Sequence, residues 1–283
     1  MKYSSRFFLY APLGVFLILL FGVGVHWWIA ASHLSARLAA LNGKPVAPGV
    51  TMHYAERRIS GFPFSLDTKF RGFALELVAP SGPMEWRPEE FAMHALTYGR
   101  DETIFEAAGK QTLRWTRDGG ARSLTFETGA LHASAIDNRN GLARFDLDIV
   151  GFGSPAFTAQ HLQLHFRRDG PGDLDYVATA DELRTPAGTC PRLDDHLAKM
   201  ELTGTVTRAE ALAPVLAGDE DWPSAVARWR AAGGNSRIES LVVQSPAGRS
   251  EKTAAMRTAL AQTPVEKLTA VSGLADALCR PDH

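Results

Sequence analysis

Hydrophobic residues follow two different patterns along the chain, and the first is a single unbroken block near its start. From Phe7 to Ala31 the sequence contains no Lys, Arg, Asp or Glu, and Trp27 and Trp28 lie at the far end of the block. As a helix the block is about 37 Å long, whereas the hydrocarbon core of a bilayer is about 30 Å thick. Indole side chains favour the headgroup level of a membrane. The pattern therefore predicts a transmembrane helix over residues 7–31.

Positive charges predict the orientation of this helix. Lys2 and Arg6 precede the apolar block, and Arg37 is the first full charge beyond it. The positive-inside rule therefore puts residues 1–6 in the cytoplasm and the bulk of the chain on the other side of the membrane. A cleaved signal peptide is the alternative, because Ala30-Ala31-Ser32 offers small residues for a cleavage site. The apolar core of a signal peptide is only about 7–15 residues long, which favours an uncleaved anchor.

The segment after the block continues the helical pattern outside the membrane. Residues 32–41 are rich in Ala and Leu, with leucines at helical spacing. Asn42-Gly43 and two nearby prolines then predict the end of the helix. We interpret residues 32–49 as a stalk helix and a linker.

The second pattern is alternation of apolar and polar residues, and it fills the middle of the chain. Phe145, Leu147 and Ile149 point to one side of their segment, and the residues between them are charged. Turns rich in Gly, Asn and Asp separate successive alternating runs, with no helix-length segment between them. Residues 50–210 are therefore predicted to form a long antiparallel meander sheet, curved or closed like a barrel or sandwich.

The end of the chain changes towards a helical pattern. Asp221-Trp222-Pro223 is typical of a helix start, and residues 238–243 are predicted to form one more strand. Apolar residues recur at a spacing near 3.6 over residues 251–278, with a break at Pro264. We predict that residues 211–283 form a mixed region whose helices pack on the sheet, which makes the fold mainly β, of the α+β class.

Composition and charge exclude two classes of protein. The 283 residues include 30 Lys and Arg against 31 Asp and Glu, without the net basic charge typical of nucleic-acid binders. Disorder is excluded because 45% of the residues are hydrophobic and only 22% are charged. The sequence predicts a folded protein at a membrane, with no nucleic-acid partner.

No residue pattern predicts catalysis or metal binding. His161 and His165 have the spacing of a helical zinc pair, but the alternation around them predicts a strand. On a strand they lie about 13 Å apart at roughly 3.3 Å per residue, too far to share one ion. Residues 151–154 lack the nucleophile-elbow spacing, and no glycine-rich phosphate loop occurs. We expect solvated strand histidines, no catalytic residue, no metal and no cofactor, and thus a protein that is not an enzyme.

The two cysteines carry a separate prediction. Cys190 and Cys279 are 89 residues apart and would lie in an oxidising compartment if the chain is exported. A disulfide between them would contribute roughly 4–5 kcal/mol in the chain-entropy model. Two unpaired thiols are the alternative, and we favour the disulfide on the argument from compartment.

The most distinctive segment is Ile59-Ser60-Gly61-Phe62-Pro63-Phe64-Ser65-Leu66. Its glycine permits a bend, and its proline favours an extended backbone at the start of a strand. Phe62, Phe64 and Leu66 are therefore expected on one face of the first hairpin. The phase of the pattern slips at Arg71-Gly72, which predicts a bulge or a tight turn there.

The anchor, the stalk and this strand motif together resemble an uncharacterised family of bacterial envelope proteins, which is itself similar to the AsmA-like group. The resemblance covers roughly residues 1–210, and only its Gly61–Leu66 motif is specific. It implies a Gram-negative inner-membrane protein that faces the periplasm. Its AsmA-like relatives imply a role in lipid traffic and outer-membrane homeostasis. The resemblance supplies no catalytic residues.

Three functional hypotheses follow. In the first, the apolar face of the sheet lines a groove that binds or transfers lipid or another apolar ligand, although a packed core produces the same alternation. The candidate lining residues are Phe62, Phe64, Leu66, Phe73, Leu75, Phe126, Phe145, Leu147, Leu162, Leu164 and Phe166. In the second, the chain is a scaffold that holds envelope protein partners at the inner membrane. The third, an envelope hydrolase, has no supporting residues.

Overall fold

The computed structural model describes most of the chain up to Arg249. The described residues are 5–47, 49–79, 82–97, 102–117, 120–138, 141–169, 172–188, 194–212, 214, 220, 222–246 and 248–249. The helices predicted for residues 251–278 lie outside this part of the chain, and so do Cys190 and Cys279. Those two features therefore stay predictions.

One long helix, α1, runs from Ser5 to Leu41 and confirms the predicted apolar helix together with its stalk. Most of its large apolar side chains between Tyr10 and Ile29 are exposed, whereas Ala31 and Leu38 are buried. The segment Tyr10–Leu41 is long and apolar enough to cross a membrane. The helix is therefore compatible with a single-pass membrane anchor whose last turns pack against the rest of the protein.

Helix α1 ends at the predicted stop. Gly43 has a φ of +75°, the left-handed conformation that commonly follows a helix. The Asn42 side chain exchanges two hydrogen bonds with the backbone of Tyr54: its Nδ2 donates to Tyr54 O at 3.1 Å, and Tyr54 N donates to its Oδ1 at 3.0 Å. The end of the helix is thereby attached to the segment that follows the second strand.

Within the described residues, 14 strands form one antiparallel sheet. The strands are β1 (Lys44–Ala47), β2 (Val50–His53), β3 (Glu56–Ser60), β4 (Ser65–Arg71), β5 (Ala74–Ala79), β6 (Gly82–Leu96), β7 (Glu102–Arg117), β8 (Gly120–Asn138), β9 (Gly141–Gly153), β10 (Thr158–Asp169), β11 (Asp173–Arg184), β12 (His196–Val206), β13 (Ser236–Ser245) and β14 (Gly248–Arg249). Their order is β1-β2-β5-β6-β7-β8-β9-β10-β11-β12-β13-β14, with β4 between β3 and β6. From β5 onwards each strand pairs with the next, which confirms the predicted meander.

The sheet is wider than predicted at both ends. Strand β1 falls in the segment that we interpreted as a linker, and β13 joins the sheet beside β12. A 3₁₀ helix (Ala209–Leu212) and helix α2 (Trp222–Ala231) lie between β12 and β13 in sequence. The start of α2 agrees with the predicted helix start, and β13 contains the predicted strand.

The expected arrangement of the Gly-Phe-Pro-Phe segment is wrong in one respect. Strand β4 begins only at Ser65, so Phe62 and Phe64 lie in the turn before it. Ser65 N donates a hydrogen bond to Gly61 O at 2.9 Å, which closes this turn before the strand begins. Phe62 and Phe64 are 53% and 61% exposed, whereas Leu66 is only 7% exposed. The three side chains therefore do not share one face.

The phase slip predicted at Arg71-Gly72 is confirmed. Strand β4 ends at Arg71, Gly72 has a φ of +61°, and β5 begins at Ala74. Both strands pair antiparallel with β6, so the chain keeps its direction past Gly72, and the left-handed glycine marks a break in the pairing.

Two buried clusters lie at opposite ends of the sheet. The first packs α1 against β2, β4, β5, β6 and β7, and its buried members are Leu38, Met52, Tyr54, Phe70, Phe73, Phe91 and Ala107. The second lies on β12 and β13 and consists of Leu197, Leu241 and Val243. Near this second end, the buried Trp229 of α2 donates a hydrogen bond from Nε1 to Thr207 O at 2.7 Å. Each end of the sheet thus has its own helix.

Candidate functional site

The apolar face of the sheet forms rows that cross the strands. One row begins on β7 and passes through register partners to β13: Ala107, Leu131, Ile149, Leu162, Ala180, Met200 and Val243. The row beside it consists of Phe105, Ala133, Leu147, Leu164, Ala178, Leu202 and Leu241. Neighbouring strands are about 4.8 Å apart, so the rows are roughly 29 Å long. We call these two rows the apolar track.

The middle of the apolar track is less covered than its ends. Ala107 and Val243, at the two ends, are each 1% exposed and belong to the buried clusters. Leu147, Ile149 and Leu164 are only half-buried. Among the described residues, these three belong to neither cluster. The stretch from β8 to β10 therefore keeps an accessible apolar surface between two closed ends.

Five of the candidate lining residues come together in this middle stretch. They are Phe145, Leu147, Leu162, Leu164 and Phe166, which pair across β9 and β10 on one face. Phe145 and Phe166 are register partners with ring centroids 6.3 Å apart. The sequence pattern therefore predicted correctly that these five residues share one face of the sheet. That a ligand binds there stays a prediction.

The other candidate lining residues lie elsewhere. Phe73 belongs to the first cluster and Leu75 packs against it, whereas Leu66 is buried outside both clusters. Phe126 of β8 contacts Phe152 of β9, with ring centroids 5.5 Å apart. This pair lies further along the two strands than the apolar track. Phe62 and Phe64 occupy the exposed turn, where Phe62 packs edge-on against Trp27 of α1 with centroids 5.7 Å apart. Alternation alone could not show which of the candidate residues lie on the middle of the apolar track and which lie elsewhere.

The opposite, polar face carries a feature that the sequence analysis missed, a row in which carboxylates and imidazoles alternate. From β4 to β11 its members are Asp67, His94, Glu106, His132, Asp148, His161 and Asp181. Each member lies on a strand adjacent to that of the next member. We call this set the carboxylate–histidine row.

Direct hydrogen bonds join several members of the row. His94 Nδ1 lies 2.9 Å from Asp67 Oδ1, and its Nε2 lies 3.1 Å from Glu106 Oε2. His161 Nε2 lies 2.8 Å from Asp148 Oδ1. Beside the row, His165 Nδ1 lies 2.7 Å from Asp146 Oδ1.

His161 and His165 lie on a strand, β10, as predicted, and their side chains stay partly exposed. Both are partly buried and bonded to carboxylates on β9. The reason is that directly opposed or diagonal side chains on adjacent strands lie within reach of one another. Such pairs depend on strand register, which local alternation does not reveal.

The surroundings of three carboxyl groups in or beside the row lower their pKa values. The hydrogen bond from His94 is the largest influence on Asp67 and lowers the pKa of that carboxyl below its ordinary value. Partial burial is the largest influence on Asp146 and Asp148 and raises the pKa of each. Hydrogen bonds to His165 and Arg144 at Asp146, and to His161 and Gln163 at Asp148, together with nearby positive charge, outweigh burial, so both pKa values are lowered. Although these residue types often bind metals, the described part of the chain contains no group of three or more arranged to hold an ion.

The lowered carboxylate pKa values predict how the stability depends on pH. Because the folded-state pKa values of Asp67, Asp146 and Asp148 lie below the ordinary 3.8, the unfolded chain binds more protons in acid. The stability that these three carboxylates contribute is fully present above their pKa in the unfolded chain. It is lost as the pH falls through their pKa in the folded protein. We expect the free energy of unfolding to fall progressively below about pH 5, as measured by denaturant titration in detergent micelles.

A double variant supplies the comparison for this prediction. Asp146→Asn with Asp148→Asn keeps the shape of both side chains and removes two of the titrating groups. The variant should lose less stability than the wild type between neutral and acidic pH. Equal pH slopes for the two proteins would contradict the assignment of these carboxylates.

A comparison with protein families adds to this geometry. The model of a family described as an uncharacterised protein conserved in bacteria, DUF2125, matches residues 27–257. The chain belongs to this family. A search of curated proteins and a search of solved structures each found no match.

The DUF2125 match covers the end of α1 and the whole described sheet. It begins at Trp27, whose indole donates a hydrogen bond to Ser65 of β4, and it includes every described strand. The predicted membership of an uncharacterised bacterial family is confirmed. The match reaches residue 257, further than the roughly 210 expected, so β13 and β14 belong to the family pattern. The similarity to AsmA-like proteins stays a hypothesis.

Proposed function

We propose that this DUF2125 chain is anchored by α1 in the inner membrane, with its N-terminus in the cytoplasm and its sheet in the periplasm. There the apolar track binds the acyl chains of membrane lipid, as part of lipid traffic in the envelope. The observation that carries the proposal is the continuity of the track. It begins at Ala107, in the cluster that contains Leu38 of α1, and its half-buried middle follows on the next strands.

The track offers an apolar surface on one side of the sheet, next to the cluster that contains Leu38 of α1. Its residues are all apolar, so a hydrocarbon chain that lies on the half-buried middle of the track meets no charged position on this face of the sheet. Each methylene that moves from water onto such a surface contributes about 0.8 kcal/mol. Hydrophobic contact is non-directional, so a surface of this kind selects an acyl chain more strongly than a particular headgroup.

Two features of the sequence support the proposed location. Lys2 and Arg6 precede the helix, which favours a cytoplasmic N-terminus by the positive-inside rule. The Gly61–Leu66 motif resembles that of an uncharacterised envelope family, and the similarity of this family to AsmA-like proteins favours the periplasm and a role with lipids. Neither feature depends on the apolar track, so location and ligand are tested separately.

Photo-crosslinking from the sheet in native membranes tests the lipid proposal. A benzoylphenylalanine that replaces Leu164 faces the apolar track, whereas one that replaces Gln163 faces the polar side of the same strand. After irradiation of cells that express the full chain, mass spectrometry of the purified protein should find lipid adducts at position 164. The matched label at position 163 should give none, since its neighbours are Asp148 and Thr179.

The other outcomes are equally informative. A reproducible adduct between position 164 and another envelope protein would replace lipid binding with the scaffold function. Adducts only within the chain would show that the track is covered by the protein itself and would overturn the proposal. Lipid adducts of equal yield at positions 163 and 164 would indicate contact without a specific face, which also contradicts it.

A further inference from the structure

The turn between β3 and β4 displays aromatic side chains to the surroundings. Phe62 and Phe64 are both more than half exposed, although the turn that carries them is well ordered by hydrogen bonds. Thr97 donates from N at 3.2 Å and from Oγ1 at 3.1 Å to Phe64 O. Leu96 beside it is also exposed. We call Phe62, Phe64 and Leu96 the aromatic turn surface.

Contacts with α1 fix the height of this surface along the helix. Trp27 Nε1 donates to Ser65 O at 2.8 Å, and the Trp27 ring packs on Phe62. His26 Nε2 lies 3.4 Å from Thr97 O. Both contacts join the helix to the two ends of the aromatic turn surface, so this surface lies level with residues 26 and 27.

That level coincides with the end of the apolar, exposed part of the helix. From Tyr10 to Ile29 the helix rises about 30 Å, which equals the thickness of a bilayer's hydrocarbon core. Trp27 precedes Ile29 by a rise of about 3 Å. If residues 10–29 span the membrane, the aromatic turn surface lies at the boundary between acyl chains and headgroups. Trp and Tyr are enriched at this depth, and Phe and Leu side chains of surface-bound segments bury themselves at the same boundary.

The geometry points to a second membrane contact: Phe62, Phe64 and Leu96 insert into the headgroup–acyl boundary of the same bilayer that α1 crosses. The occupant is lipid because Phe62 packs on Trp27, next in sequence to the exposed Trp28 at the end of the helix's exposed apolar part. Two contacts at different points restrict rotation of the sheet about α1. This inference rests on the membrane anchor of the proposed function and not on lipid carriage by the apolar track.

Depth-dependent fluorescence quenching tests this contact in the full chain. The fluorescent residue acridonylalanine replaces Phe64, and in a second protein Phe62, in vesicles of phosphatidylethanolamine and phosphatidylglycerol. The vesicles also contain phosphatidylcholine brominated either near the headgroup or near the chain end. We expect the shallow bromines to quench both labels several-fold more strongly than the deep bromines.

Two matched labels make the result decisive. Phe16, exposed in the middle of the apolar helix, should be quenched more by the deep bromines. Val150, an exposed apolar residue of β9, should not be quenched by either lipid. If Phe16 is quenched while Phe62 and Phe64 behave like Val150, the second contact is overturned and the anchor stands. If Phe16 is not quenched, both the anchor and the second contact are overturned. The crosslinks at Leu164 do not bear on either result.

Discussion

Replacing Phe91 with alanine is expected to lower the free energy of unfolding by about 4 kcal/mol, the range for a large buried aromatic residue. Phe91 is 8% exposed and lies at the centre of the first cluster. Its ring stacks on Phe73 with centroids 3.7 Å apart and lies edge-on to Trp86 at 5.8 Å. The truncation leaves a cavity among several rings, and large flat side chains on a sheet cannot collapse to fill it.

The loss should also loosen the attachment of the helix to the sheet. Leu38 of α1 belongs to the same cluster as Phe91, so the cavity opens beneath the end of the helix. Equilibrium denaturation of the full chain in detergent micelles, followed by tryptophan fluorescence, measures the change. Val150→Ala is the control, because apolar atoms are removed from an exposed position away from the proposed membrane contact, and it should change stability by less than about 1 kcal/mol. Equal losses in the two variants would contradict the burial of Phe91.

Gly61→Ala is expected to cost about 3 kcal/mol, because two unfavourable effects coincide at this position. Gly61 has a φ of +97°, where a residue with a side chain is strained. A Cβ at this position would also lie 2.6 Å from Asp67 Oδ2 and 2.7 Å from Ser65 O, closer than van der Waals contact permits. The turn would have to open, which would break the hydrogen bond from Ser65 N to Gly61 O.

Gly153→Ala is the appropriate control for this substitution. Gly153 lies at the end of β9, and a Cβ there would meet no atom within 4 Å. Its replacement should change stability by less than about 1 kcal/mol, and in either direction. The same denaturation experiment applies to both variants. A Gly61→Ala protein as stable as Gly153→Ala would mean that the turn does not adopt the left-handed conformation.

Some of the fold could be predicted from the sequence because its signals are local. The apolar block and its continuation predicted α1, and Asn42-Gly43 marked its end, since helix periodicity and stop signals act over a few residues. Alternation in segments such as residues 144–149 predicted strands, and glycine-rich turns between them predicted a meander. The same local pattern placed Phe145, Leu147 and Leu164 on apolar faces of their strands.

Other features depend on how strands are aligned with their neighbours. The pairing of β7 with β8 shifts between Ala107 and Gly109, and Gly109 takes a φ of +75° there. Each such bulge changes which side chains are opposed, and a slip of one residue exchanges the two faces of a strand. The carboxylate–histidine row exists only with the register observed, so no single segment of sequence could reveal it.

The sequence by itself determined that the chain begins with a helix able to span a membrane and continues as an antiparallel sheet with one apolar and one polar face. Hydrophobic periodicity carries this information because each element must bury its own apolar side. Only the tertiary structure decided that the apolar positions join into a track from α1, and that Phe62 and Phe64 stay exposed beside Trp27. Those arrangements arise from register and from the packing of α1 on the sheet, which connect residues that are distant in the chain.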